Sequence, residues 1–274
     1  MFIPFHPCLN RPVRKRIHIA LTIAGSDSGG GAGLQADLKT FAALGVHGTS
    51  VVTCITAQNP KRVSGVEACS PRIIRAQIEA VFSELPPRAA KTGMLFSAAI
   101  IREVARAFRD QPCPLVVDPV MIATSGAALL RPNAIRTLTE KLLPLATLLT
   151  PNVPEAEALL GLRIREPEDL RRAAHALHER FGCALLMKGG HLTTTRESID
   201  LFFDGMTELL LSSPRVRGVH THGTGCTCSA AITAGLAQGE TLIRAVQQAK
   251  KFVTHAIATS SKAGRHDVLN TLRA

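Results

Sequence analysis

The 274-residue chain predicts an α/β fold, with a mainly parallel central sheet and helices on both of its faces. Three observations predict it. Short apolar runs rich in β-branched residues alternate with longer stretches whose apolar residues recur at i, i+3, i+4 and i+7, the spacing of an amphipathic helix. That alternation builds parallel strands joined by helical crossovers. Runs such as VVD and ATLL are apolar without alternation, as strands covered on both faces should be.

Candidate strands, in chain order, are HIALTIA (18–24), TSVVTCIT (49–56), PLVVD (114–118), ATLLT (146–150) and ALLMK (184–188). Helical periodicity marks IIRAQIEAVFSEL (73–85), AAIIREVARAF (98–108) and LRRAAHALHERF (170–181). SIDLFFDG and ELLLSS (198–213) read as an antiparallel hairpin at a sheet edge, and residues 227–238 and 241–259 as two final helices. No repeat, low-complexity tract or linker divides the chain. Residues 17–274 are therefore expected to form one domain, and residues 1–16 a flexible extension.

Composition excludes several classes. Apolar residues make up 46% and charged ones 19%, ample for a large core and far from a disordered composition. Aromatics are 4%, with no Trp or Tyr, which argues against stacking platforms for single-stranded nucleic acid. The net charge of +11 is scattered except for RPVRKR at 11–16, so a generally basic proteome, together with an anionic substrate, explains it better than nucleic acid. No apolar run reaches the ~18 residues of a membrane helix. Seven cysteines without regular spacing make no disulfide framework or zinc set, so reduced thiols in the cytoplasm are expected.

Ligands of open α/β sheets bind beyond the carboxyl ends of the strands, so the loop after each strand carries the chemistry. GSDSGGGAGLQADLKT (25–40) contains a G-x-G-x-x-A match, yet no Asp or Glu occurs between Leu38 and Val66 to hold a ribose. The dinucleotide reading fails its own requirement. What remains is a flexible glycine loop admitting close backbone approach. Asp37 falls on the apolar face of the following helix, where a carboxylate is either a buried hydrogen-bond partner or a ligand-holding acid. In TPNVPEAEALL (150–160), Asn152 and Glu155 stand three apart; this is the spacing of a capping box with Pro154 in the first turn. The alternative is a carboxamide and carboxylate near magnesium-bound phosphate. Lys188 ends a strand before two glycines and is either solvated or a cation reaching phosphate. Asp118 ends another strand, locked by Pro119.

THGTGC (221–226) carries the strongest signal. Gly223, Thr224 and Gly225 precede an apolar helix and expose N–H groups that suit a transferring phosphoryl group. Cys226 in that field is expected to have its thiol pKa pulled down, or else simply to pack the turn.

Together AGSDSGGGAGLQADLKTFAALGVHG (24–48), TAQN (56–59), KTGML (91–95), DPVM (118–121), TPNVPEAEALL, LLMKGGH (185–191) and THGTGCTCSAA (221–231) resemble the ribokinase-like superfamily. Within it they resemble the hydroxymethylpyrimidine/phosphomethylpyrimidine kinases of thiamine biosynthesis, in the family's order, over about residues 17–262. The resemblance implies a three-layer α/β/α fold and ATP-dependent phosphorylation of 4-amino-5-hydroxymethyl-2-methylpyrimidine and of its monophosphate. It implies ATP and Mg2+, with a monovalent cation as an optional aid, and a homodimer acting on small molecules with no nucleic acid or membrane. By position, Gln58 would pair with the aminopyrimidine edge, Ala32, Asp37 and Val120 would line the pocket, and Met94 would pack on the ring. Lys188, with Asp118 near it, would contact nucleotide phosphate, and Asn152 and Glu155 would organise magnesium. Cys226 stands where most of the superfamily has Asp and is expected to act as the base, while Cys228 only packs. The end, AGRHDVLNTLRA (263–274), lacks the glycine-rich tail common in relatives. Two other readings remain open, a pyridoxal kinase of the same superfamily and a non-catalytic pyrimidine-binding protein.

Overall fold

The computed structural model describes residues 16–109, 113–122, 129–130, 132–190, 192, 197–219 and 222–272. Most of the expected N-terminal extension, His191 and Thr221 lie outside the described residues.

Nine strands form one sheet: β1 (Ile19–Asp27), β2 (His47–Asn59), β3 (Arg62–Ala68), β4 (Ala89–Thr92), β5 (Leu115–Val117), β6 (Leu148–Leu149), β7 (Ala184–Lys188), β8 (Glu197–Phe203) and β9 (Glu208–Pro214). Their order is β3-β2-β1-β4-β5-β6-β7-β8-β9. The pairs from β2 through β7 are all parallel, and β3 at one edge with β8 and β9 at the other are antiparallel. β4, β5 and β6 are buried at every residue, whereas the edge strand β9 alternates. That contrast is what cover on two faces against cover on one produces.

The helices divide into two layers. On one face lie α2 (Pro71–Glu84), α3 (Ala98–Phe108), α5 (Val153–Leu160) and α6 (Pro167–Phe181). With them lies α4 (Pro132–Thr137), which runs on through a π turn over Leu138–Leu142 and a 3-10 turn over Leu143–Leu145. They share one apolar core with the sheet, in which Ile74, Ile101, Leu142 and Leu185 are wholly buried. α1 (Gly33–Ala43), α7 (Thr224–Ala237) and α8 (Leu242–Ala258) cover the other face. α7 is buried along most of its length, so its Ala/Gly/Thr sequence has little amphipathic pattern. Its small residues allow close packing; a Cβ on Gly235 would sit 3.0 Å from that of Ala245 in α8. A small hairpin, β10 (Ser261–Ala263) with β11 (His266–Val268), follows where the glycine-rich tail is missing.

The expected strands are all present, and five elements are additional: β3, β4, α4, β10 and β11. β4, Ala-Ala-Lys-Thr, has a lysine at its centre and no branched apolar run, so its composition reads as a loop. β1 also runs three residues further than its apolar stretch, carrying Gly25, Ser26 and Asp27 into the sheet with a register shift between Ala24 and Ser26.

The turn from β1 into α1 depends on Gly33. Its φ is +56°, and a Cβ there would lie 2.3 Å from the Gly25 carbonyl oxygen. Gly161, which ends α5 at φ +70°, has open space around the same position. Gly161→Ala is therefore expected to lower unfolding free energy by about 1 kcal/mol, the cost of left-handed backbone alone. Gly33→Ala should cost at least ~3 kcal/mol, because backbone strain and steric displacement add. Urea unfolding of the two variants gives the comparison, and equal losses would contradict the packing described.

Candidate active site

The carboxyl ends of β1, β2, β4 and β5 open into one cavity, as the rule for open sheets requires. Its wall includes Ala32, Asp37, Gln58, Met94, Val120 and Cys226, six of the residues singled out from the sequence. Asp27, Thr56, Lys91 and Leu129 join them; the first three lie within the quoted motifs but were assigned no role, and Leu129 lies outside them.

The floor is built from two glycine turns laid against each other. Gly223 has φ +84°, and a Cβ on it would fall 1.8 Å from the Gly31 carbonyl oxygen. The loop after β1, expected to be flexible from its glycines, is tied by hydrogen bonds to one side chain. Asp27, 3% exposed, gathers it: the N–H groups of Gly29, Gly31 and Ala32 donate to its carboxylate at 2.8, 3.2 and 2.9 Å. His222 Nε2 lies 3.2 Å from the same carboxylate, with its ring against Gly31. Burial works to raise the Asp27 carboxyl, but the bonds from His222, Gly29 and Ala32 outweigh it and hold it below the ordinary value. Those N–H groups are thus committed within the protein.

Asp37 proves to be a buried partner as well as a wall residue. It is 0% exposed on α1; Lys91 Nζ donates to Oδ1 at 2.6 Å and Thr22 Oγ1 to Oδ2 at 2.6 Å. Lys91 is also 0% exposed. Burial pushes its ammonium down, yet Asp37, Cys226 and Asp118 more than compensate and hold it above the ordinary lysine value. Gln58 sits at the rim with its Oε1 3.2 Å from Thr56 Oγ1; among the described residues its Nε2 has no protein partner. Its backbone N–H donates to Ser28 Oγ at 2.9 Å. Met94 packs on Cys54 and Leu129, with Val120 beside them.

Cys226 is in the first turn of α7, whose N-cap, Gly223, has no side chain to cap the leading N–H groups. The expected lowering of its thiol pKa is not what the structure produces. Burial dominates and pushes the thiol up to about 11; Lys91 opposes this, Asp37 and Asp118 add to it, and a backbone bond from Gly33 slightly offsets it. Desolvation outweighs the contacts that favour the thiolate. Cys228 is buried among Val116, Leu148 and Leu186, in the packing role expected.

A second group lies on the other side of the α7 tip. Lys188 Nζ donates to Asp118 Oδ1 at 2.8 Å, and a Cβ on Gly225 would stand 3.2 Å from that Nζ. Burial lowers Lys188, but Asp118 and Glu155 raise it further, so it stays charged. Asn152 and Glu155 form the complete capping box of α5: Glu155 N–H donates to Asn152 Oδ1 and Asn152 N–H to Glu155 Oε2, both at 2.9 Å. Burial pushes the Glu155 carboxyl up to about 7, with Lys188 opposing and Asp118 reinforcing. Both residues therefore have structural work in hand, and among the described residues no three His, Cys, Asp or Glu side chains form a metal cluster.

Residues 27–270 match the phosphomethylpyrimidine kinase family. The hydroxymethylpyrimidine/phosphomethylpyrimidine kinase of Rhizobium meliloti is 52% identical over 245 residues, 89% of this chain and 92% of that one. The Bacillus subtilis pyridoxal kinase, solved with ADP, superposes with TM-score 0.86 at 37% identity, over 93% of this chain and 98% of that one. The Clostridium difficile phosphomethylpyrimidine kinase superposes with TM-score 0.78 at 44% identity, over 88% and 100%.

Asp27→Ala leaves three backbone donors without an acceptor and should lower unfolding free energy by about 2–4 kcal/mol near neutral pH. The folded carboxyl lies below its unfolded value, so this stability is present above the ordinary carboxylate pKa of about 4 and fades as pH falls through the folded value. Urea curves of wild type and variant should converge in that acid range. A gap that stays constant would contradict the assignment.

Proposed function

The chain belongs to the phosphomethylpyrimidine kinase family, and we propose that it transfers the γ-phosphoryl group of ATP to the hydroxymethyl oxygen of 4-amino-5-hydroxymethyl-2-methylpyrimidine, and then phosphorylates the monophosphate, as thiamine biosynthesis requires. One observation carries the reading. Gln58, able to grip a flat heterocycle, and Cys226, at an uncapped helix start, line the same cavity, and Lys188 stands just across the helix tip.

On this reading the pyrimidine lies with its amino group and ring nitrogen against the Gln58 amide, which donates and accepts together. Met94, Val120 and Ala32 enclose the ring, and Asp37 closes the inner end. The hydroxymethyl oxygen faces Cys226. As the oxygen attacks the γ-phosphorus, its proton passes to the Cys226 sulfur and the electron pair of the breaking bond leaves with ADP. N–H groups of the 223–226 turn, which includes Thr224, stabilise the charge that develops on the phosphoryl oxygens. Lys188, held charged beside Asp118, meets the nucleotide phosphates.

Magnesium fits this site as an ion held mainly by phosphate oxygens and water, with Glu155 and Asn152 orienting that shell from the start of α5; bound there it would neutralise phosphate charge. We propose a homodimer in the cytoplasm as the working unit. Among the described residues no helix is long and apolar enough to cross a membrane.

A second reading, pyridoxal as substrate, is favoured by the likeness to the solved B. subtilis enzyme. Pyridoxal presents no amino group beside a ring nitrogen for Gln58 to pair with, so the pyrimidine is the better fit. The kcat/KM on the aminopyrimidine alcohol is expected to exceed that on pyridoxal by at least ~100-fold, the scale on which unpaired buried amides penalise a wrong substrate. A preference for pyridoxal would reverse the choice.

Cys226→Ala should lower kcat by about 10²–10⁴-fold, the range of a lost general base, while pyrimidine affinity measured by calorimetry changes little. With the thiol at about 11, the thiolate fraction grows as pH rises, so wild-type kcat should climb from neutral toward alkaline pH. A flat profile, or near-normal turnover without the thiol, would remove Cys226 from the mechanism.

A further inference from the structure

Lys91 stands outside the proton and phosphoryl transfers proposed for the site. It is the third residue of β4, a strand without an exposed residue, yet its side chain lines the cavity together with Cys226. The ammonium carries three donors, and among the described residues the only acceptor bonded to it is Asp37 Oδ1, at 2.6 Å. Thr22 Oγ1 secures the other carboxylate oxygen. Gly93, two residues on, lines the same cavity, and a Cβ on it would stand 3.9 Å from Lys91 Nζ, in ordinary contact. A buried ion pair of this kind contributes little to stability compared with apolar residues of similar volume. Its place on the wall of the cavity that Cys226 also lines suggests a different use.

We infer that Lys91 is the electrostatic partner of Cys226, its buried ammonium clamped by Asp37 beside the sulfur so that the thiolate forms against a fixed positive charge. The inference rests on the reading of Cys226 as the base. Lys91 gives up no proton itself. The substrate hydroxyl proton goes to sulfur, the oxygen bonds to phosphorus, and the released electron pair departs on the nucleotide diphosphate. Lys91 acts through Cys226 by lowering the energy of the anionic sulfur that must exist beforehand.

Lys91 from β4 and Asp37 from α1 line the cavity with Cys226, and the charge of Asp118, beyond β5, also acts on the thiol. Of these Lys91 alone is positive. Asp118 is already paired with Lys188, and Asp27 with its loop and His222. Burial raises the thiol, and the Lys91 charge is the foremost influence against it. The arrangement divides two cations between two tasks, Lys188 for nucleotide phosphate and Lys91 for the thiol.

The test compares wild type with Asp37→Asn/Lys91→Met, a double variant that leaves neither charge buried and unpaired and keeps an acceptor for Thr22. Folding is checked by its thermal transition. Alkylation of Cys226 by iodoacetamide, followed at peptide level by mass spectrometry in the absence of substrate, reports thiolate content from about pH 7 to 10. Labelling should be at least about tenfold slower in the double variant at a given pH, with its profile displaced by a unit or more toward alkaline pH. Asp37→Asn alone removes the foremost of the charges that hold the Lys91 ammonium but leaves Cys226 and Asp118, and should label at a rate between wild type and the double variant. Equal rates in the double variant and wild type, or slowing by Asp37→Asn as large as in the double variant, would overturn the inference. Because labelling needs no turnover, it stands apart from the choice of substrate. With the aminopyrimidine alcohol, kcat should fall by about 100-fold between Asp37→Asn and the double variant, with a smaller change in KM; an unchanged kcat would likewise overturn it.

Discussion

The first turn of α7 can approach the carboxyl edge of the sheet only because two backbones meet there without side chains. Gly223 rests on the Gly31 carbonyl so closely that one added carbon would overlap it. Everything chemical in the site depends on this contact. It aims the leading N–H groups of α7 into the cavity, sets Cys226 in the first turn, and lets Lys188 approach at Gly225. The Asp27 carboxylate makes the contact durable by tying up the Gly29, Gly31 and Ala32 donors. The loop is rigid by hydrogen bonding, though its composition suggests mobility.

On either side of that helix tip stands a Lys–Asp pair, and the two environments differ. Lys91 and Asp37 have no exposed side-chain surface, while Lys188 is 15% exposed and Asp118 3%. A sealed cation holds its charge against desolvation only through its neighbours, and its field is strong because water does not screen it. A cation at the rim can exchange a protein partner for an anionic ligand. Burial sets the sign at the thiol between them. Desolvation of sulfur outweighs the pull of the Lys91 charge, so the Cys226 thiol stays above its ordinary value even with that cation on the same cavity wall.

Much of the fold was legible in the amino-acid sequence, because strands such as 184–188 and helices such as 98–108 carry their periodicity openly. The edge hairpin β8–β9 was legible for the same reason. β4 was not, since four residues with a central lysine carry no strand period. The functional residues divide in a similar way. Cys226, Gln58, Lys188 and Asp118 lie in motifs whose order along the chain is itself informative. Lys91 lies in one of those motifs as well, but a lysine ordinarily reads as surface, and only the fold shows it sealed against Asp37. The Asp27–His222 contact joins residues 195 positions apart, a separation no local pattern encodes. Asn152 and Glu155 show the opposite case: their spacing specified a capping box, and that is what they build.

The chemistry of the site converges on one event, the arrival of a phosphoryl group at an alcohol oxygen held between Gln58 and Cys226. Phosphorus NMR of a mixture of protein, ATP, magnesium and the aminopyrimidine alcohol observes that event directly. A phosphomonoester resonance should grow as ATP is consumed, followed by the paired resonances of a pyrimidine diphosphate. ATP that stays intact, or that yields only inorganic phosphate, would contradict the proposed transfer.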